Sequence, residues 1–207
     1  MVPTGFHVGV RAVSLHDADL LAPDERLFTT SMSDVRRAEF ASGRALLRDL
    51  TGAAGPIMRR PNRAPDLPAG VVGSLSHDRR YAVAVITRRS DVSAIGIDIE
   101  PTGGAALSDA EATLIVRHDD VVPSPLATFV MKEATYKAWS VLGGPVLEHH
   151  DVRVAHDDGR FEASVLDPSS PSPQTTFNGT LVRTSDYWIA LVISATDNSA
   201  QARRPGV

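Results

Sequence analysis

The chain contains no cysteine, and this absence excludes several kinds of chemistry. Disulfides, thiolate nucleophiles and cysteine-ligated metals are ruled out, and a chain of this composition suits a reducing cytoplasm. The sequence also lacks a basic start followed by an apolar run, and it has no stretch near ~18 consecutive apolar residues. We therefore expect a cytoplasmic protein without a signal peptide or a membrane-spanning segment.

A strong charge of either sign is missing too. The 21 Lys and Arg residues nearly balance the 25 Asp and Glu residues, for a net charge of -4. This balance gives no general attraction to nucleic acid or to an anionic membrane, so an anion site has to be a local cluster of basic side chains. Apolar residues make up 43% and charged residues 22% of the chain, which is typical of a folded globular protein.

Helical and extended patterns alternate along the chain. The segment after Ser33 and Asp34 carries apolar residues at helical spacing; either of these residues suits the N-cap, and Gly52 suits the helix end. A strand pattern covers residues 6–13, a strand, turn and strand are predicted over 70–89, and a further strand over 92–101. A second helix is predicted over 125–142, and it is followed by two hairpin-like strand pairs.

This order predicts an α+β fold, because each half combines a helix with antiparallel strands. We place the boundary near residue 102 and expect two similar halves, residues 1–101 and 102–207. The polar tail over about 198–207 is predicted to be disordered.

The stretch "GIDIE" places two carboxylates, Asp98 and Glu100, on one face of a predicted strand. Mg²⁺ takes a few carboxylates and completes its shell with phosphate and water, so this pair is a candidate metal site. The alternative is an edge strand whose polar face meets water.

The stretch "FVMKEATYKAW" places Glu133 four residues before Lys137 on the second helix, directly after Lys132. On an exposed helix such a pair contributes only ~0.2 to 0.5 kcal/mol and is commonplace. The surrounding aromatic and apolar residues favour partial burial, which shifts pKa values and suits a functional site. A surface ion pair is the alternative.

Polar and basic residues elsewhere provide candidate phosphate contacts. In "GSLSH", Ser76 and His77 suit a phosphate at a tight turn, and a plain hairpin turn is the alternative. Arg37 and Arg44 lie seven residues apart on the first helix, so they share a face. A basic, proline-rich loop follows with Arg59, Arg60 and Arg63, for which a solvated surface is the alternative. His149 and His150 have no spaced partner, and we interpret them as surface residues.

Together and in this order, "EFASGRALL", "LPAGVVGSLSH", "GIDIEP" and "FVMKEATYKAW" resemble the signature of the Sfp-type 4′-phosphopantetheinyl transferases. The resemblance runs from about Arg36 to Trp139. It implies two similar α+β halves with the active site between them. It also implies transfer of the phosphopantetheine arm of coenzyme A to a serine of an apo acyl or peptidyl carrier protein, with release of adenosine 3′,5′-bisphosphate.

The resemblance also assigns roles to residues. It implies a Mg²⁺ ion, with Mn²⁺ as a substitute, held by Asp98, Glu100 and Glu133. Glu133 is in addition the candidate base for the carrier serine, acting directly or through water, and Lys132 and Lys137 are expected to contact phosphate oxygens. The implied coenzyme A contacts are Arg37, Arg44, Arg59, Ser76 and His77.

The chain departs from the family pattern in ways that leave some expectations open. The third acidic position of many relatives corresponds to Asp119, with Asp120 and Glu111 as rivals. Arg63 and Leu67 stand where relatives often have glycine and tryptophan. The exposed arginines of the 79–89 region form either a carrier-docking surface or a solvated face. We expect a monomer, and the sequence does not distinguish fatty-acid, polyketide and nonribosomal peptide carriers.

Two further classes of function stay open at this point. One is a non-catalytic homologue that binds coenzyme A or a carrier domain without transfer. The other is a Mg²⁺-dependent phosphohydrolase built on the two carboxylates of "GIDIE".

Overall fold

The structure is a computed structural model that describes residues 5–90, 92–104, 106–166 and 175–195. The α+β prediction is confirmed, because these residues form eight strands in two sheets together with four α-helices. None of the helices in these ranges is long and apolar enough to cross a membrane. The predicted disordered tail lies outside the described residues.

The elements have the following bounds. The strands are β1 (His7–Ala12), β2 (Val71–His77), β3 (Tyr81–Arg88), β4 (Val92–Pro101), β5 (Val152–Asp157), β6 (Arg160–Val165), β7 (Thr176–Arg183) and β8 (Tyr187–Ala195). The α-helices are α1 (Pro23–Phe28), α2 (Asp34–Thr51), α3 (Asp109–Ile115) and α4 (Pro125–Val141). Short 3-10 helices cover Leu15–Leu20 and His149–Asp151.

Helix α2 begins and ends where its capping residues require. Ser33 is the N-cap, and its hydroxyl accepts a hydrogen bond from the backbone N–H of Arg36. Gly52 ends the helix with a φ of 68°, a left-handed conformation that glycine adopts without a Cβ clash. Of the two N-cap candidates, the structure therefore selects Ser33.

The first sheet has the antiparallel order β1-β3-β2 and packs against α2. Leu46 and Leu47 of the helix, Ile57 of the basic loop, and Ala84 and Ile86 of β3 belong to one buried apolar cluster. At ~25 cal/mol for each Å² of apolar surface removed from water, such burial is the main term that holds the helix on the sheet. The sheet and helix together support the start of the basic loop.

The second sheet has the antiparallel order β4-β8-β7-β6-β5 and packs against α4. The approach of α4 to β4 is close at Gly96, where a Cβ would overlap the carbonyl oxygen of Ala134. Trp139 of α4 and Phe177 of β7 are fully buried and meet edge to face, with ring centroids 6.3 Å apart.

Strand β4 connects the two parts of the fold. Its isoleucines Ile95, Ile97 and Ile99 are buried in one cluster with Val72 of β2 and Val85 of β3. Although β4 precedes residue 102, its hydrogen-bonded neighbour is β8 in the second sheet. The division into halves at residue 102 stays a prediction. The position of β4 brings the carboxylates of "GIDIE" between both sheets and α4.

Candidate functional site

A cavity of about 320 Å³ lies where α2, the basic loop, β2, β4 and α4 meet. Most of the predicted site residues line it, although they come from five separate segments of the chain. They are Arg44, Arg59, Ser76, His77, Asp98, Glu100, Glu133 and Lys137. The fold therefore places carboxylates, basic side chains and hydroxyl groups around one space.

Asp98 is buried at this cavity with its two carboxylate oxygens in different environments. Its Oδ1 accepts hydrogen bonds from Lys137 Nζ at 2.7 Å and from Ser76 Oγ at 2.8 Å. Its Oδ2 is buried and has no hydrogen-bond partner in the part of the chain that the structure describes. Burial raises the pKa of Asp98, against the opposing effect of the Lys137 charge. An unpaired buried acceptor costs about 1 to 3 kcal/mol, so Oδ2 marks a place for a ligand.

Glu100 lies two residues further along β4 and lines the same cavity. Burial and the nearby negative charge of Asp98 raise the pKa of Glu100 to about 7. A divalent cation between the two carboxylates would remove this repulsion and would give Oδ2 of Asp98 a partner. The donor set fits Mg²⁺, which binds hard oxygen ligands.

The protein residues do not complete a metal shell by themselves. Over the described residues, no group of three or more His, Cys, Asp or Glu side chains is placed so that it could hold a metal ion. Mg²⁺ usually keeps several waters and combines one or two carboxylates with substrate phosphates. This geometry is that of a site completed by a phosphate ligand rather than a preformed protein cage.

Lys137 of α4 points toward β4. Its Nζ donates to the carbonyl oxygen of Ile97 at 2.9 Å as well as to Asp98, so the predicted i,i+4 pair with Glu133 is replaced by a pair between two elements. The Lys137 side chain is 26% exposed, and it also lines the cavity. The surface ion pair considered for this helix is therefore not what the structure shows.

Glu133 of α4 hydrogen-bonds to a histidine. Its Oε1 lies 3.3 Å from Nε2 of His149, and both side chains are 30% exposed. Burial raises the pKa of Glu133, but the His149 hydrogen bond and the charge of Lys137 outweigh this effect and hold the pKa below its usual value. Glu133 is therefore ionised at neutral pH and able to accept a proton or bind a cation.

Lys132 does not reach the cavity, and the expectation that it contacts phosphate is not supported. Its side chain is 1% exposed, and its Nζ lies 2.8 Å from Oδ2 of Asp120. The same Nζ donates to the carbonyl oxygens of Ile115 and His149 at 2.8 and 3.0 Å. An ammonium group has three donors, and all three are used inside the protein. Helix geometry explains why Glu133 lines the cavity while Lys132 does not, because adjacent helical residues point about 100° apart.

The three candidates for a further acidic ligand are also engaged elsewhere. The Asp120 side chain is buried and paired with Lys132, and Asp119 is paired with Arg117 at 2.8 Å. Glu111 completes a capping box with Ser108 at the start of α3. None of these three side chains lines the cavity, so Glu133 is the third carboxylate that the structure brings to it.

The α2 side of the cavity follows a row of residues four positions apart. Arg36, Phe40 and Arg44 line the cavity, and the guanidinium carbon of Arg44 lies 4.2 Å from the centre of the Phe40 ring. Burial lowers the pKa of Arg44 to about 10, which leaves it positively charged at neutral pH. Arg37 instead donates to the carbonyl oxygen of Met32 and pairs with Asp34, and it does not line the cavity.

The basic loop covers the cavity from the other side. Asn62 donates to the carbonyl oxygen of Ser140 at 2.7 Å, which fastens the loop to α4. The guanidinium carbon of Arg59 lies 5.3 Å from the centre of the Phe28 ring. Arg63, with a φ of 69°, lines the cavity, whereas Leu67 packs into the apolar cluster under the loop. The two departures from the family pattern therefore have different surroundings.

Ser76 and His77 of β2 line the remaining side of the cavity. Ser76 Oγ donates its proton to Asp98, so it orients that carboxylate. His77 is mostly buried; burial lowers its pKa, against the attraction of Glu39, whose Oε2 lies 3.7 Å from Nδ1. His77 is thus neutral at pH 7, and it supplies a hydrogen-bonding ring rather than a charge.

Arg36, which lines the cavity, and His149, which contacts the cavity residue Glu133, were not predicted as site residues from the sequence. Arg36 lines the cavity in the place expected for Arg37, and a helical wheel that weighs the i,i+4 row would have indicated it. His149 was assigned to the surface, yet its ring contacts Glu133. No local pattern reveals this contact, because the two residues lie in different elements.

The sequence of this chain is similar to those of known proteins. Residues 23–87 match the family described as "4'-phosphopantetheinyl transferase N-terminal domain". The chain is 33% identical over 166 residues to 4'-phosphopantetheinyl transferase Svp of Streptomyces mobaraensis, covering 72% of this chain and 67% of that protein. It is 33% identical over 178 residues to 4'-phosphopantetheinyl transferase PptT of Mycobacterium tuberculosis, covering 76% of this chain and 78% of that one. It is also 33% identical over 143 residues to enterobactin synthase component D of Salmonella typhi, covering 62% and 59%.

Proposed function

Since this chain belongs to the 4′-phosphopantetheinyl transferase family, we propose that it transfers the phosphopantetheine arm of coenzyme A to a serine hydroxyl of an apo acyl or peptidyl carrier protein. The observation that carries the proposal is a cavity that combines Asp98, Glu100 and Glu133 with a wall of arginines. Adenosine 3′,5′-bisphosphate is the leaving group.

The basic wall suits the phosphates of coenzyme A. Arg36 and Arg44 of α2 and Arg59 of the basic loop place positive charge around the cavity, and Arg44 is held rigidly by its hydrogen bond to the carbonyl oxygen of Ile57 at 2.6 Å. A guanidinium fork matches phosphate oxygens in charge and in geometry. These residues bind the coenzyme and fix the orientation of its pyrophosphate.

The carboxylate side of the cavity suits Mg²⁺, with Mn²⁺ as a substitute. Asp98, whose Oδ2 has no partner among the described residues, and Glu100 are the residues that would hold the ion, with phosphate and water completing its shell; Glu133, the third ligand that the family resemblance implies, lines the same cavity. Bound there, Mg²⁺ supplies neutralisation of the negative charge that develops on the pyrophosphate. The raised pKa values of Asp98 and Glu100 make cation binding compete with protons, so affinity for the ion should fall below about pH 7.

The transfer step needs a base and a stabilised leaving group. The serine oxygen forms a bond to the phosphorus of the phosphopantetheine phosphate, and the bond from that phosphorus to the leaving bisphosphate breaks. The serine proton goes to Glu133, directly or through water, because this carboxylate lines the cavity and is ionised at neutral pH. Lys137, whose Nζ is already at the cavity, steadies the charge on the departing phosphate.

A transfer assay tests this function. The protein is incubated with coenzyme A, Mg²⁺ and a panel of apo acyl and peptidyl carriers, and mass spectrometry should show carriers that gain one phosphopantetheinyl group. No gain with any carrier would overturn the proposal. Release of adenosine 3′,5′-bisphosphate without an acceptor would instead indicate a hydrolase, and calorimetric binding without transfer would indicate a non-catalytic homologue.

The role of Glu133 has its own test. Glu133→Gln should lower kcat by about 10² to 10⁴-fold, the usual contribution of a general base, while coenzyme A still binds. Glu162→Gln is the matched control, because Glu162 is exposed on β6, away from the cavity. Full turnover of the Glu133 variant would remove Glu133 from the chemistry.

A further inference from the structure

His149 lies beside the candidate base, although its sequence context is typical of a surface loop. Its Nε2 is 3.3 Å from Oε1 of Glu133, and its ring centre is 5.4 Å from that of Phe129. Phe129 and Glu133 are four residues apart on α4, so the ring lies along one side of that helix. The imidazole therefore contacts both the base and the apolar residue one turn before it.

The backbone of His149 is fixed independently of its side chain. Its carbonyl oxygen accepts a hydrogen bond from the buried Lys132, which is itself paired with Asp120. The 3-10 helix that starts at His149 is capped by Glu148, whose backbone N–H donates to Asp151 at 2.8 Å. Replacing the imidazole leaves all these backbone contacts in place.

A carboxylate on a helix surface has several rotamers, and only some of them present an oxygen to a substrate. A hydrogen bond from a fixed donor selects one rotamer and occupies one oxygen. With Oε1 bound to His149, Oε2 of Glu133 is the oxygen left to accept the serine proton or to bind a cation. This arrangement resembles the general use of an outer hydrogen bond to orient a reacting group.

We propose that His149 is a positioning residue for Glu133, donating from Nε2–H to Oε1 so that Oε2 stays available at the cavity. The proposal rests on the transferase function proposed above. It assigns to His149 a part in turnover and none in coenzyme A binding, because the contacts of its ring are with α4 and not with the basic wall.

Two substitutions of His149 and one of the neighbouring His150 test this role. His149→Ala should lower kcat by about 10 to 100-fold, the range for one hydrogen bond to a charged group, with the KM for coenzyme A changed less than about twofold. His149→Gln places an amide donor on a side chain of similar reach and should recover most of the loss. His150→Ala is the matched control, since His150 lies on the same 3-10 helix but contacts the carbonyl oxygen of Thr113.

A double variant separates positioning from structural support. On a Glu133→Gln background, His149→Ala should cause little further loss of kcat, because residues that act as a unit are not additive. The urea midpoint of His149→Ala should equal that of His150→Ala. A multiplicative loss in the double variant, a failed rescue by Gln, or a kcat loss matched by a fall in stability would overturn the proposal.

The hydrogen bond can also be measured without turnover. In protein labelled with ¹⁵N-histidine, NMR should show His149 as the tautomer protonated at Nε2, with its signal shifted by Glu133→Gln and the His149→Gln variant providing the assignment. A neutral His149 protonated at Nδ1 would overturn the proposal whatever the transfer assay shows. If the wild-type protein transferred nothing but showed the expected NMR pattern, the transferase function would be refuted, while the hydrogen bond between His149 and Glu133 would be confirmed.

Discussion

Replacing Lys132 by methionine should destabilise the fold more than it weakens coenzyme binding. The side chain is 1% exposed, and its pair with the Asp120 carboxylate, a side chain with no exposed surface, is buried. Breaking a buried pair by removing one partner costs about 3 to 5 kcal/mol, since an uncompensated charge stays inside. Asp120 would keep its hydrogen bonds from the backbone N–H groups of Arg117 and Val154, so we expect about 3 kcal/mol.

This loss is large on the scale of a folded domain. Total unfolding free energies are about 5 to 15 kcal/mol, and 3 kcal/mol corresponds to about a 150-fold change in the folding equilibrium. Urea unfolding followed by circular dichroism would measure it as a lower midpoint with an unchanged slope. The double variant Lys132→Met, Asp120→Asn removes both charges and should lose less than the single variant.

A different outcome would refute the structural role. If Lys132→Met kept the wild-type midpoint while coenzyme A affinity fell by about tenfold or more, Lys132 would be a phosphate contact. The structure predicts the reverse for the purified folded variant. Its coenzyme affinity should be near that of the wild type, and its kcat should be reduced because the carbonyl oxygen of His149 loses its anchor.

Two further predictions concern stability. Gly96→Ala should destabilise the fold by about 1 to 3 kcal/mol or more, because its Cβ would overlap the carbonyl oxygen of Ala134. Gly55→Ala is the control and should be nearly neutral, because the new Cβ has open space around it. Thermal unfolding compares the two variants, and equal melting temperatures would contradict the prediction. The hydrogen bonds from Arg11 lower the pKa of Asp17 against the effect of burial, so this carboxylate stabilises the fold above about pH 4 and loses that contribution as the pH falls through its folded pKa. Asp17→Asn should be less stable than the wild type at pH 6, and its stability should fall less as the pH is lowered. Urea midpoints of both proteins, measured from about pH 6 to about pH 3, test this. A parallel fall of the two midpoints would contradict it.

Local signals in the sequence predicted the elements that carry the site. The N-cap at Ser33 and the glycine at 52 bound α2 as expected, because capping and the left-handed conformation are decided within one turn. The alternation in "GIDIE" likewise predicted a strand, and Ile97 and Ile99 are buried together in the cluster that joins β4 to the first sheet. Features of this kind depend on neighbours along the chain, so a single sequence contains them.

The predictions failed for side chains whose partners are distant in the sequence. Lys132 and Lys137 are five residues apart on one helix, but the first is buried against Asp120 and the second reaches Asp98 on β4. Apolar and aromatic residues surround both lysines in the sequence, so only the packing of α4 in the tertiary fold separates them. The contact between His149 and Glu133 was missed for the same reason, because it joins two elements that the tertiary fold brings together.

The environment of Asp98 shows how the fold prepares a charged site before any ligand arrives. A lone ionised carboxylate in the interior costs several kcal/mol, and Lys137 and Ser76 offset this cost at Oδ1. If Oδ2 were satisfied as well, the carboxylate would be more stable and less able to bind a cation. Among the described residues this second oxygen has no hydrogen-bond partner, and burial raises the pKa values of both Asp98 and Glu100, the latter also through the charge of Asp98. Stability that a second hydrogen bond would have supplied is thus given up at the position where the proposed chemistry needs an acceptor.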